Sequence, residues 1–128
     1  MQRIVPNIWC NRNAEEAAAF YASAFENVHY EIEGRYPEEG LLDFQREFAG
    51  EPLTIDLTIS GYRFTLINAG DEFHPNPSLS FMLNFDPLLF DGAEPGGSGP
   101  DTAEERARAS LDRLWERLGD GGTPLMPL

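Results

Sequence analysis

The chain contains no lysine, a single cysteine, two histidines and no long apolar run, and each shortage removes a class of function. Without lysine there is no Schiff-base amine, no phosphate-loop lysine and no lysine general base. All nine basic residues are arginines, set against 22 acidic residues, for a formal net charge of -13. Nucleic-acid binding needs clustered basic residues to neutralise phosphates, and anionic membranes need the same. Neither partner is expected, and the acidity reads as a device for solubility. Cys10 has no second cysteine with which to form an intrachain disulfide, which fits a reducing compartment. At the end of a predicted strand it reads as a buried, inert thiol. No stretch approaches the roughly 18 apolar residues of a membrane span. The short apolar run after Arg3 breaks at Pro6 and Asn7 with no small-residue cleavage site, so no secretory leader is expected and a cytoplasmic location is the default.

At 128 residues and 41% hydrophobic composition, one domain with one core is expected. Residues 3–10 read as a strand. Asn13, with Glu16 three positions on, has the pattern of a capping box. Ala14, Ala17, Ala18, Tyr21 and Phe25 follow at helical spacing, and the small alanines allow close approach to a sheet. Residues 28–33 alternate as a half-exposed strand. The connection 34–52 is polar, with a short strand predicted at 41–44. The clearest unit is 53–68, where Leu53, Ile55, Leu57 and Ile59 form one face and Thr54, Asp56 and Thr58 the other. Ser60-Gly61 makes a two-residue hairpin turn, and the return strand sets Tyr62, Phe64 and Leu66 against Arg63, Thr65 and Ile67. Residues 78–85 alternate as a further strand. Residues 86–100 hold four glycines and three prolines and read as a loop, although Leu88, Leu89 and Phe90 suit docking better than solvation. Thr102 and Glu105 form a second capping box, Ala107, Leu111, Leu114, Trp115 and Leu118 follow with helical spacing, and Gly119 ends the helix. Residues 123–128 are predicted as a last short strand. Three segments result: 1–85, the loop 86–100, and 101–128.

Four stretches carry a resemblance. They are Ile4-Val5-Pro6-Asn7-Ile8-Trp9; Asn13-Ala14-Glu15-Glu16-Ala17 with Phe20-Tyr21 and Phe25; Gly61-Tyr62-Arg63-Phe64 through Asn68-Ala69-Gly70; and Ser80-Phe81-Met82 with Leu114-Trp115-Glu116-Arg117-Leu118 and Gly121-Gly122. In this order they resemble the PhnB-like branch of the glyoxalase/bleomycin-resistance (vicinal oxygen chelate) superfamily, whose members often carry the label 3-demethylubiquinone-9 3-methyltransferase. The resemblance implies an α+β fold: one βαβββ module plus an incomplete second one, with a mostly antiparallel curved sheet and helices on its outer face. Two departures stand out. The loop 86–100 looks like an insertion, and relatives continue past Met126-Pro127-Leu128 into a final hairpin of roughly 20 residues. An incomplete sheet offers an edge to another chain, so a homodimer that completes the sheet is expected.

The resemblance also locates the superfamily's four metal-ligand positions. They fall at or beside Pro6, near Thr65, at Ser78, and beyond Leu128. None of these three residues offers the carboxylate, imidazole or thiolate that divalent metals require, so neither metal nor other cofactor is expected. The candidate pocket is the mixed sheet face, with Ile8, Arg63, Thr65, Ser78, Ser80 and Met82, and with His74 at its mouth. Arg63 has two readings: a cross-strand salt bridge to Asp56, or an inward guanidinium that holds an anionic ligand. His74 is either a surface residue or a ligand contact or base, and His29 reads as solvated or cross-strand. Trp9 and Trp115 are assigned to the core. The pairs Glu15-Glu16, Glu38-Glu39 and Glu104-Glu105 cap and solvate. No catalytic residue is identified. Three functions remain: a metal-free small-molecule-binding domain, an enzyme of the superfamily (methyltransferase by label, or lyase or dioxygenase), and a structural dimerisation module. The lone cluster Gly96-Gly97-Ser98-Gly99 has no βαβ unit around it and does not support a methyl-donor site.

Overall fold

A computed structural model describes residues 1–90, 102–126 and 128. The chain separates into two compact units, Met1–Leu79 and Ser80–Leu128. The first unit is an α+β module: β1 (Asn7–Asn11), α1 (Ala14–Ala24), β2 (Val28–Arg35), a 3-10 helix (Asp43–Phe48), β3 (Pro52–Ile59) and β4 (Tyr62–Ala69). Its sheet has the order β1-β4-β3-β2. β1 runs parallel to β4, and the other two pairings are antiparallel.

The hairpin follows its sequence pattern closely. Ser60 and Gly61 both have positive φ, 49° and 85°, as a two-residue hairpin turn matched to strand twist requires. The resulting register sets Thr58 opposite Arg63, Asp56 opposite Thr65 and Ile55 opposite Leu66. Because side chains alternate across a strand, one face becomes apolar. Ile55, Leu57 and Leu66 are fully buried there, together with Ala14 and Ala18 of α1 and the nearly buried Cys10. Ala14 and Ala18 have 0% exposure; with only a methyl group at each contact, the helix backbone can lie close to the sheet.

The start of α1 departs from expectation. Asn13 makes no side-chain cap, and the predicted Asn13–Glu16 box is not formed. A residue 54 positions away takes over: the Ala14 N–H donates to Asn68 Oδ1 at 2.9 Å. Asn68 Nδ2 donates to the Pro52 carbonyl at 3.1 Å, and the Tyr36 hydroxyl donates to the Asn68 carbonyl at 2.8 Å. Asn68 is the one buried polar residue among those described, and its hydrogen-bonding groups are satisfied, as burial demands.

Residues 41–44 do not form the predicted strand. Leu42 and Phe44 in it are both exposed. Phe48 is the deep anchor of this segment: it is buried, with its ring 5.3 Å from Tyr36, and the 3-10 helix delivers it there. Arg12 lies 5.2 Å over the Phe48 ring and pairs with Glu51 and Glu47. This second cluster ties the end of β1 to the 3-10 segment.

In the second unit, a short 3-10 helix (Pro87–Phe90) packs with α2 (Ala103–Gly119). The capping box at Thr102 and Glu105 is present with both of its hydrogen bonds. Phe90 docks as expected, stacking 6.3 Å from Phe85 and accepting a hydrogen bond from Arg106 Nε at 2.9 Å through its carbonyl. Leu88 and Leu89 stay exposed. The predicted strand 78–85 is not formed, nor is the one at 123–128 among its described residues. Alternation supplies two faces, but a strand also needs a partner for its backbone groups. Here the hydrogen bonds are local, such as Ser78 N–H to Asn76 Oδ1 and Asp86 N–H to Asn84 Oδ1. Most of the predicted loop 86–100, including Gly96-Gly97-Ser98-Gly99, lies outside the described residues.

Asn68→Ala should cost about 2–4 kcal/mol in urea unfolding, since it strands a buried donor at Ala14 and a buried acceptor at Pro52. Asn13→Ala should cost less than about 0.5 kcal/mol; equal losses would return the cap to Asn13. An alkaline effect follows from two raised groups. Burial pushes the Cys10 thiol up, and burial followed by the Glu51 carboxylate raises Tyr36. The folded state holds these protons more tightly than the unfolded state does. Their stabilisation is therefore complete below the ordinary thiol value of about 8.5 and is lost as pH rises through the raised folded values, with Tyr36 following from about 10. Urea midpoints should fall above that thiol value, and Cys10→Ala should delay the fall toward the tyrosine range. Identical pH profiles for the two proteins would contradict this.

Candidate functional site

The sheet of the first unit has two unlike faces. Ile8, Cys10, Phe64, Leu66, Ile55 and Leu57 face α1. By register, Trp9, Thr65, Arg63, Asp56 and Thr58 lie on the opposite face. Ile8 pairs with Leu66 and packs with the core, so it is on the other side from Arg63 and Thr65, with which the sequence grouped it.

Arg63 adopts the cross-strand salt bridge. Its Nη2 lies 2.7 Å from Asp56 Oδ2 and 3.2 Å from Glu33 Oε1. The Asp56 hydrogen bond and charge, and then Glu33, hold the guanidinium pKa above its already high ordinary value. Its Nε, buried, has no partner. The backbone of Arg63 is held as well: the Gln2 side-chain amide donates to the Arg63 carbonyl and accepts from its N–H, each at 2.9 Å. That amide thus takes the place of a strand neighbour just ahead of the start of β1. Thr65 Oγ1 lies 3.5 Å from Asp56 Oδ1. Glu31 stands directly opposite Asp56, so this face is acidic and Arg63 is its neutralising charge.

A separate cleft of about 320 Å³ opens beside β1. It is lined by Ile8, Trp9 and Cys10 of β1, Ala17 and Tyr21 of α1, and Phe73 and His74 of the following segment. Trp9 and Phe73 form one wall, with ring centroids 4.7 Å apart and planes tilted by 32°. Trp9 is 37% exposed and Phe73 51%, so both rings offer surface. Trp115, at 43%, is also outside the core, and the core assignment fails for both tryptophans. Alternation put Trp9 on the face opposite Ile8 and Cys10, but only the pairing of β1 with β4 shows which of the two faces meets the helix. Phe73, beside Asp71 and Glu72, carried no periodic signal.

The candidate residues therefore divide. His74 and Ile8 line the cleft, while Arg63 and Thr65 lie on the acidic face. Ser78 sits in a turn with its hydroxyl bonded to Asn76. Ser80 and Met82 belong to the second unit and are exposed.

The donor set does not fit a divalent ion. Pro6 has no ligating side chain, and its carbonyl accepts from the Thr65 N–H at 2.9 Å. Thr65 and Ser78 offer only neutral hydroxyls, and the Asp56 carboxylate is taken by Arg63. Among the described residues no group of three or more histidine, cysteine, aspartate or glutamate side chains could hold a metal. Among the same residues, no helix is long and apolar enough to cross a membrane.

Comparison with known proteins agrees with this fold. The profile of the 3-demethylubiquinone-9 3-methyltransferase family matches residues 2–87. The solved structure of the PhnB protein of Bacillus cereus, which carries the same methyltransferase label, is similar with a TM-score of 0.65 and 22% identity, covering 99% of this chain and 81% of that one. No curated protein matches the sequence. The fold likeness and a family match over most of the chain lead to one conclusion: the chain belongs to the 3-demethylubiquinone-9 3-methyltransferase (PhnB-like) family of the glyoxalase superfamily.

Proposed function

We propose that this chain is a metal-free small-molecule-binding domain that works as a homodimer. The cleft beside β1 carries the reading. Its volume of about 320 Å³ lies at the small end of ligand sites, and Ile8, Trp9, Tyr21 and Phe73 line it alongside the polar Asn11, Asn13 and His74. His74 in its lining supplies an imidazole that can donate or accept a hydrogen bond. The family's methyltransferase label is not carried over as an activity. A methyl-donor site of the usual kind needs a glycine-rich turn between a first strand and its helix, and here the turn between β1 and α1 is Arg12-Asn13.

The dimer reading rests on the sheet edges. β2, the other edge, is protected by Glu31, Glu33 and an irregular register between Ile32 and Arg35, the usual defences against pairing. β1 carries Asn7, Trp9 and Asn11 outward from the core, with no charge on the strand. A second copy along this edge would complete the sheet and wall the cleft.

A thermal-shift screen of small aromatic compounds should raise the melting temperature of the wild-type chain, since a ligand that prefers the folded state stabilises it by mass action. The shift should vanish in Trp9→Ala and in Phe73→Ala. Shifts retained in both variants would move the site elsewhere. Dialysis against a chelator should change the melting temperature by less than about 1 °C; a larger drop would reveal a structural metal. Light scattering should return twice the 14.3 kDa chain mass, and a concentration-independent monomer would remove the dimer.

A further inference from the structure

Resting on the cleft reading above, we infer that the ligand class is a planar aromatic cation, such as a nitrogen heterocycle with a fixed positive charge, rather than an anion. Two independent features lead there. The first is the wall. Trp9 and Phe73 pack on each other with ring centroids 4.7 Å apart, both remain partly exposed, and both line the cleft together with Tyr21. Aromatic faces carry negative electrostatic potential, so they attract a cation as well as stacking on a flat ring.

The second is the disposition of charge. No arginine lines the cleft. The two arginines at the ends of the strands that frame it are both committed. Arg12, between the lining residues Asn11 and Asn13, pairs with Glu51 and Glu47. Arg63 pairs with Asp56 and Glu33. Asp71 and Glu72, by contrast, directly precede Phe73, are exposed, and form no ion pair among the described residues. The whole chain carries a net charge of -13. Such a field concentrates cations at the surface and repels anions. Asn11 and Asn13 in the lining add amide groups that can accept from or donate to polar substituents of the ring.

The test uses three probes of similar size: N-methylquinolinium as cation, quinoline at pH 8 as neutral ring, and 1-naphthoate as anion. The protein is the full chain with Trp115→Phe, so that Trp9 alone reports by fluorescence, and titration calorimetry provides a second readout. The cation should bind at least about tenfold more tightly than naphthoate at low salt, and this advantage should shrink as salt screens the charges. The Asp71→Asn/Glu72→Gln double variant should lose about threefold or more of cation affinity while leaving quinoline unchanged. Phe73→Ala, at an exposed position that does not threaten folding, should weaken both rings. Naphthoate binding as tightly as the cation would overturn the charge class and leave the cleft standing. Failure of all three probes to bind would overturn both. Cation binding that survives unchanged in Phe73→Ala and Trp9→Ala would be surface association, and would overturn the inference as well.

Discussion

The first unit depends on one buried amide. Asn68 sits on the core face of β4, two residues beyond the fully buried Leu66. Its side chain accepts from the first N–H of α1 and donates to the carbonyl that begins β3, while its own carbonyl receives the Tyr36 hydroxyl. A polar group in an apolar core is tolerated only when such bonds are made. Asn68 therefore specifies where α1 starts, rather than merely adding to its stability. That placement reaches the cleft, because Ala17 and Tyr21 of α1 and Ile8 and Cys10 of β1 are all among its lining residues.

How much of this was legible in the sequence depends on the range of the interaction. The 53–68 hairpin was readable to the residue pair, because alternation and a two-residue turn leave one register. The opposition of Thr58 and Arg63 follows from it directly. The capping box of α2 was equally local. The cap of α1 was not, since a suitable Asn13 stood in place while the actual acceptor came from a different strand. Residues 78–85 show the opposite failure. Their alternation is as regular as that of β3, yet strands exist as pairs, and the described backbone there bonds to its own neighbours. At the candidate site, alternation correctly grouped Arg63 with Thr65. Ile8 went to the wrong face because the phase of β1 is set by its parallel pairing with β4, and five residues carry too little pattern to reveal it.

The acidic face explains why Arg63 is where it is. Glu31 stands across from Asp56 in the β2–β3 ladder, and like charges directly opposite are unfavourable. A guanidinium reaching Asp56 and Glu33 together offsets that repulsion. Arg63 is half exposed, so solvent weakens each pair. Its value lies in relieving a conflict built into the sheet, and a guanidinium shared by two carboxylates has little positive potential left to offer an anion.

The same electrostatic reasoning separates the two parts of the sheet that could meet a ligand. The open face around Asp56 is polar, and Arg63 there is already paired with Asp56 and Glu33. The β1 side is lined by Ile8, Trp9, Tyr21 and Phe73 together with Asn11, Asn13 and His74, and Asp71 and Glu72 directly precede Phe73 with no ion pair among the described residues. Binding energy for a small molecule comes mostly from buried apolar contact, and polar groups fix orientation. On that ground the cleft outranks the face. An edge strand of only five residues, with an exposed tryptophan and no charge to deter pairing, is also where the sheet has most to gain from a neighbour. In the proposed reading, ligand wall and subunit edge are one structural problem, and β1 answers both.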